Sequence, residues 1–154
     1  GYIGAVFGGN AVATHDIESC LFGTSLGIHL GEGHPVQGGH EHHLRAINTI
    51  RRAGSIQAAV DQGILAGGLM YTLTTTGTPY VLAGSIRDDG PMPEVITDVM
   101  EAQKRMREYA QQAGACLMLS TRAWLVASKN SLQHASNPVS TRSLKLCVVG
   151  IFCS

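Results

Sequence analysis

Short apolar runs that end in small residues and hand over to helical patterns recur along this chain, and no other feature constrains its fold as strongly. Tyr2 to Phe7 is apolar and stops at Gly8-Gly9. Asn10 then stands as a helix cap before a predicted helix from Ala11 to Leu26, in which Ala13, Ile17 and Leu21 repeat at four-residue spacing. A second helix is expected over His42 to Ala53, through Leu44, Ile47 and Ile50, with Gly54 as its stop. Ser55 caps a shorter one carrying Ile56, Ala59 and Val60 and ending at Gly63. Ile64 to Thr76 reads as a helix, although Gly67-Gly68 lowers helix propensity and Leu69, Leu73 and the threonines suit either element. Tyr80 to Ala83 is a strand that opens into Gly84-Ser85 and the charged turn Arg87-Asp88-Asp89. Pro93-Glu94 then begins a helix to about Ala113, with Ile96, Val99, Met100, Gln103, Met106 and Ala110 on one face. Ala115 to Leu119, ended by Ser120-Thr121, and Leu144 to Phe152 are further β-like runs. Strands alternating with helices predict an α/β fold with a parallel sheet, which takes its ligands at the carboxyl ends of the strands.

A chain of 154 residues is long enough to bury a core without disulfides or metals, so one domain is expected. Eleven basic and eleven acidic side chains cancel and none form a long like-charged run, which argues against a nucleic-acid or anionic-membrane partner and for a small molecule. Neither a membrane-spanning apolar run nor a secretory leader pattern is present. Cys20, Cys116, Cys147 and Cys153 are scattered, and are expected to be reduced, mostly buried thiols in a cytoplasmic setting. The chain opens on Gly1 inside an apolar run, which suggests a fragment whose natural amino end lies upstream. Gly27 to Gly39 reads as a loop with a short hairpin, and residues 122–143 carry Ser, Asn, Arg and Lys without a clear period around the lone Trp124.

Several residue sets point toward chemistry. Gly8-Gly9-Asn10-Ala11 can set the N–H groups of a helix start against a phosphate, although the full G-x-G-x-x-G spacing is absent and a Gly-Gly turn also serves plain geometry. The second small-residue turn, Ala83-Gly84-Ser85, strengthens the phosphate reading. Gly23-Thr24-Ser25-Leu26-Gly27 matches the nucleophile-elbow pattern, but a helix rather than a strand precedes it, so the match reads as accidental. Glu32, His34, His40, Glu41, His42 and His43 are the densest potential ligands. They lack the spacing of a known zinc motif and read as a wet loop with one or two inward histidines that contact substrate or move a proton; no metal is assigned. His15, beside Asp16, is either a packed helix histidine or a catalytic one. Asp88 and Asp89 are either a solvated turn capping the following helix or a carboxylate pair at the mouth of a site.

The blocks Gly8-Gly-Asn-Ala-Val-Ala-Thr-His-Asp-Ile-Glu18, Gly39 to Gly54 and Leu82-Ala-Gly-Ser-Ile-Arg-Asp-Asp-Gly-Pro-Met-Pro-Glu-Val-Ile-Thr-Asp98 closely resemble the LOR/SDH family. That family includes archaeal ornithine cyclodeaminases and the carboxyl-terminal part of the cyanobacterial ArgZ/AgrE-type arginine dihydrolases. The resemblance runs over about residues 4–120. It implies a Rossmann-like NAD-binding domain similar in fold to deoxyhypusine synthase, which works in the conversion of ornithine to proline and ammonia as an oligomer. By position in those motifs, Gly8, Gly9, Asn10 and Ala11 would meet cofactor phosphates, and Ala83, Gly84, Ser85, Asn48 and Ser120 would line the cofactor. Asp88 or Asp89 would bind ribose or the substrate ammonium, with His15 as a further catalytic candidate. A boundary is expected at residue 121, between the nucleotide-binding domain of residues 1–121 and a divergent tail of residues 122–154; a frameshift or truncation would explain that tail and leave the sheet incomplete at its carboxyl end. Two further readings remain: a non-catalytic NAD-binding or regulatory piece of a larger amino-acid-metabolising protein, and a deoxyhypusine-synthase-like transferase. The second is disfavoured because Lys104, Lys129 and Lys145 lie in unsuitable contexts.

Overall fold

The computed structural model describes residues 2–86, 88–120, 124–128 and 146–151, with side chains described up to residue 119. Its main sheet contains β1 (Ile3–Gly9), β4 (Tyr80–Ala83), β5 (Val95–Ile96), β6 (Ala115–Ser120), β7 (Trp124–Ser128) and β8 (Leu146–Ile151), in the order β5-β4-β1-β8-β6-β7. Every neighbouring pair is parallel except β6 with β7. The helices are α1 (Asn10–Phe22), α2 (His42–Ala53), α3 (Ile56–Asp61), α4 (Gly68–Thr75) and α5 (Val99–Gln112), and a two-stranded hairpin of β2 (Thr24–Ser25) and β3 (Ile28–His29) follows α1. This is the expected α/β architecture: a parallel sheet flanked by helices.

The period-two alternation of the central strands builds two cores. Val6 of β1 and Leu82 of β4 face Ala13, Ile17, Ile47, Ile50, Ile56 and Met70 of α1–α4. Ala5 and Phe7 of β1 and Val81 of β4 face the opposite side, where Met106 and Tyr109 of α5 pack with Ala113. Burial on both faces accounts for the near-continuous apolar runs of these strands. Among the described residues, no helix is long and apolar enough to cross a membrane.

Several local expectations shift. The first helix ends at Phe22 rather than Leu26, because Gly23 turns left-handed (φ 67°) and its N–H returns to Ser19 O. Asn10 is the first helical residue rather than the cap, a place taken by Gly9. The helix expected from Pro93 starts at Val99: Val95–Ile96 pair with β4 instead, and the Asp98 carboxylate caps the helix by accepting from Met100 N (2.8 Å) and Glu101 N (3.2 Å). Its buried face also rotates. Val99 and Met100 are exposed, whereas Ala102 is buried and Met106 packs inward. Cys20 is exposed, not buried, since it lies off the Ala13–Ile17 stripe of α1, and Cys116 is half-buried. Within the expected tail, residues 124–128 form β7 against β6, and residues 146–151 form β8 between β1 and β6. Arg87, Thr121, Lys129 and Lys145 lie outside the described residues.

Two long-range contacts set the shape of the helical layer. Asp16 accepts from Leu69 N (2.7 Å) and Met70 N (2.8 Å), capping α4 from α1. A side chain at Gly68, whose φ is +90°, would stand 2.8 Å from that carboxylate. Gly27 and Gly39 meet backbone to backbone, so that a Cβ on Gly27 would lie 2.3 Å from the carbonyl carbon of Gly39. This contact closes the 23–41 excursion on itself, and the Gly27 N–H, donating to Glu18 (2.9 Å), ties it to α1.

Candidate cofactor cleft and the adjoining histidine cluster

The strand ends bring most of the expected cofactor residues to one edge. Gly8 of β1 lies opposite Leu82 of β4 and Gly150 of β8, Gly9 lies opposite Ala83, and Ser120 ends β6 opposite Ile151. From β1 the chain builds outward to β4 and β5 on one side, then returns to β6 and β8 on the other. The carboxyl end of β1 is therefore a topological switch point, where open sheets form their ligand crevice. Gly8 packs tightly on the helix, since a Cβ there would sit 3.4 Å from Val12 Cβ. Gly9 has more room, with Ala83 O at 3.8 Å from such an atom. The first turn of α1 has neither an acidic residue nor a side-chain cap, so its leading N–H groups remain available. Those features suit a phosphate at this edge.

Beyond β4 a cleft of about 200 Å³ is lined by Gly84, Ser85, Ile86, Asp88, Pro91, Thr97 and Val99. That is below the roughly 300–1,000 Å³ of a typical small-molecule site, too small to enclose a whole drug-sized ligand. A Cβ at position 84 would come within 3.3 Å of Thr97 Cα, so a side chain there would have to push the 97 backbone by a few tenths of an ångström. Ser85 N donates to Asp88 Oδ2 (2.7 Å) and Ser85 Oγ to Oδ1 (3.3 Å), so Asp88 closes the turn at the cleft wall. No helix begins at Pro91 or Pro93, which removes the helix-capping alternative for the two aspartates.

Side chains from far upstream hold this loop. Asn10, only 1 % exposed, donates from Nδ2 to Gly90 O (3.1 Å) and accepts from Met92 N at Oδ1 (3.1 Å). Arg51 donates from Nε (3.1 Å) and Nη2 (2.9 Å) to Pro91 O. The amide of Asn10 is thus committed to the protein, and the residue can offer a phosphate its backbone N–H. Ala11 is half-buried beside it, while Asn48 is exposed on α2, three residues before Arg51.

The inward histidines gather on the α1 side of the same loop. Glu18 is fully buried; its Oε1 accepts from Thr24 Oγ1 (2.9 Å) and Gly27 N (2.9 Å), and its Oε2 lies 3.3 Å from His43 Nδ1 and 3.9 Å from His15 Nδ1. Burial would raise the Glu18 carboxyl, but the N–H of Gly27, the Thr24 hydroxyl, the Leu26 N–H and His43 outweigh it and hold it below the usual carboxylate range. His15 is pulled down by burial and then by His43, with Glu18 opposing. The His15 and His43 rings stand 5.1 Å apart, and His43 Nε2 is 4.0 Å from Asp89 Oδ2, which joins the cluster to the loop. The one Thr24 hydroxyl proton goes to Glu18, so His42 Nδ1 donates to Thr24 Oγ1 (2.9 Å) while its ring stacks on Phe22. His34 and His40 instead pair with Glu32 and Glu41 in solvent.

Ser25 Oγ lies 3.2 Å from His15 Nδ1, the same nitrogen that faces Glu18. A serine triad needs the two ring nitrogens on opposite partners, so this is no nucleophile elbow. Glu18 and Thr24 were not among the site residues expected from sequence, and His43 was expected only as one of the potential ligands of a wet loop. The available signal was the His15-x-x-Glu18 spacing, which puts both on one helix face, together with the Glu41-His42-His43 run at the start of the next helix.

Comparison with known proteins places the chain among relatives of the same fold. The chain is 61% identical over 132 residues to an ornithine cyclodeaminase of Methanocaldococcus jannaschii, covering 86% of this chain and 31% of that protein. It superposes with a TM-score of 0.70 on the crystal structure of a conserved LOR/SDH protein of Methanococcus maripaludis, at 58% identity over 71% of this chain and 34% of that one. It also superposes with a TM-score of 0.71 on AgrE solved in a ternary complex with ornithine and NAD⁺, at 48% identity over 78% of this chain and 17% of AgrE. The chain spans about a third of the length of the curated ornithine cyclodeaminases it matches. The family described as arginine dihydrolase ArgZ-like, C-terminal, Rossmann fold, matches residues 1–142, further than the stretch of about 4–120 expected from the motifs. With its parallel sheet, its glycine turn at the switch point and this match, the chain belongs to the ArgZ-like C-terminal Rossmann-fold family.

Proposed function

We propose that this chain is the cofactor-binding part of an NAD-dependent ornithine cyclodeaminase that converts ornithine to proline and ammonia. One juxtaposition carries the reading: an uncapped helix start and a small-residue cleft lie at the carboxyl edge of the sheet, and Asp89 of the adjoining loop reaches a cluster of one buried carboxylate and two inward imidazoles. The relative AgrE, solved with ornithine and NAD⁺, supports it.

NAD supplies the chemistry by accepting a hydride from the amine-bearing carbon and later returning it, so the conversion needs no external oxidant. The residues of this chain bind and orient. The backbone N–H groups of Asn10 and Ala11, beside Gly8 and Gly9, hold phosphate oxygens. Ala83, Gly84 and Ser85 form the wall along which the cofactor lies, with Asp88 as the partner of a ribose hydroxyl. Ser120 at the end of β6 and Asn48 on α2 extend that wall. Asp89, exposed and aimed toward His43, receives the substrate ammonium, and His15 exchanges a proton with the amine that attacks or departs. The substrate is a small amino acid, and the active unit is a homo-oligomer.

A second reading is supported by the chain's span of about a third of its relatives: an NAD-binding or regulatory piece that does not turn over substrate by itself. Titrating the purified chain with NAD⁺ in a calorimeter, then assaying proline and ammonia from ornithine, separates the two. Binding with turnover is the expected result, and binding without turnover establishes the second reading. Absence of NAD⁺ binding overturns both.

A further inference from the structure

We infer that His15, Glu18 and His43 form a binding site for one divalent zinc-class metal ion. The three ligand atoms, two imidazole nitrogens and a carboxylate oxygen, lie within 4.8 Å of one another. His15 and Glu18 stand at i and i+3 on α1, a spacing that aims both side chains to one side, and His43 comes in from the first turn of α2. Both Nδ1 atoms face the same oxygen, Glu18 Oε2, at 3.9 and 3.3 Å. Ligands about 2.0–2.2 Å from a tetrahedral zinc stand about 3.3–3.5 Å apart, so the His43 pair already fits and the His15 pair must close by about half an ångström. His15, whose side chain is 23% exposed, has room to do so by a small rotation.

The support around the carboxylate is that of a metal ligand. Glu18 Oε1 is held by the Thr24 hydroxyl and the Gly27 N–H, which fixes the carboxylate plane and leaves Oε2 directed between the two rings. Thr24 is itself fully buried and locked by His42. At 3.9 Å the His15–Glu18 contact is too long for a hydrogen bond, and His15 Nδ1 lies 3.2 Å from Ser25 Oγ, a contact that a bound metal would replace. A donor set of two imidazoles and one carboxylate suits zinc and its first-row neighbours rather than magnesium or calcium, and three protein ligands leave a position open toward the loop. A metal there takes Nδ1 of His15, so metal binding and the proton-carrying role proposed above exclude each other in one molecule. Binding itself does not depend on the ornithine reading.

The test is calorimetric titration of the metal-stripped chain with Zn²⁺, paired with the visible spectrum of the Co²⁺ form. One equivalent should bind, with the intense d–d bands of a tetrahedral cobalt site. His15→Gln and His43→Gln, both at half-buried positions, should each weaken zinc by about 100-fold or more while retaining the parent circular dichroism. Thr24→Val, which removes only the support to Glu18, should weaken it by about 10- to 100-fold. His29→Gln in β3 together with His34→Gln in the turn after it should change nothing. The inference is overturned if no stoichiometric zinc is taken up, or if uptake survives both His15→Gln and His43→Gln and disappears with the His29 and His34 pair.

Discussion

Replacing Asn10 with alanine tests whether the α1 start is tied to the cleft loop in the absence of any ligand. The wild-type amide makes two contacts over a separation of 80 residues or more, to Gly90 O and Met92 N. Alanine leaves the Met92 N–H without a partner in a buried position, which costs about 1–3 kcal/mol, and removes a half-buried bond to Gly90 O worth about 0.5–1.5 kcal/mol because water can replace it. The expected destabilisation is therefore roughly 2–4 kcal/mol. For a domain of this size, at about 2–4 °C per kcal/mol, the ligand-free midpoint should fall by roughly 4–16 °C. Differential scanning calorimetry reads the midpoint, and hydrogen exchange should show the 84–92 backbone losing protection before α2 or α3 does. Asn10→Asp is a sharper companion. It keeps the acceptor for Met92 N but turns a carboxylate oxygen on Gly90 O, so it should destabilise at least as much as alanine. If Asn10 acts only through a bound cofactor, Asn10→Ala will leave the ligand-free midpoint within about 2 °C of wild type, and the clamp is refuted.

Gly9→Ala separates cofactor approach from folding. The φ of −84° and the 3.8 Å of space to Ala83 O accept a methyl group, so the ligand-free midpoint should move by less than about 2 °C, whereas NAD⁺ affinity should fall at least about 10-fold, or 1.4 kcal/mol, by calorimetry. Gly27→Ala has no such room: its Cβ would overlap the Gly39 backbone at a φ of +75°, and a loss of more than about 3 kcal/mol should appear in urea unfolding. Asp16→Asn keeps the shape but loses the charge at the start of α4 and turns an NH₂ on one of the two N–H groups it held, so it should cost roughly 2 kcal/mol or more, with hydrogen exchange accelerated at Leu69 and Met70. The Tyr80 hydroxyl is pushed above its ordinary range by burial and then by Glu94. A group whose folded pKa is raised contributes stability below its unfolded pKa of about 10 and loses it as pH rises toward the folded value. Wild type should therefore weaken above about pH 10, and the difference from Tyr80→Phe should narrow across that limb in denaturant melts.

Features set by neighbours in the chain were legible without coordinates. The α/β class follows from apolar runs alternating with helical periods, and β4, α2 and α3 lie where caps, stops and periodicity put them, because Gly54, Ser55 and Gly63 act through local hydrogen bonds and backbone freedom. The glycine turn at Gly8-Gly9 and the Gly84-Ser85 opening were readable as strand ends, and strand ends of a parallel sheet meet at one edge. Within 93–99 the local signals competed: prolines and a glutamate resemble a helix start, and only the pairing of Val95–Ile96 with β4 decided otherwise.

What the amino-acid order determined by itself is therefore the class of fold, most of its elements and the sheet edge at which the proposed cofactor site lies. Tertiary structure decided what the polar side chains do there. Asn10 reads as a helix cap because asparagine next to a glycine turn usually is one; in the fold it spans to Gly90 and Met92. Asp16 caps another helix, and Glu18 becomes the buried centre between His15 and His43. Such partners lie from a few to more than eighty residues apart, and a carboxylate has the same local signature whether it meets water, a distant helix or an imidazole. Only the packing of α1 against α2, α4 and the cleft loop selects among them.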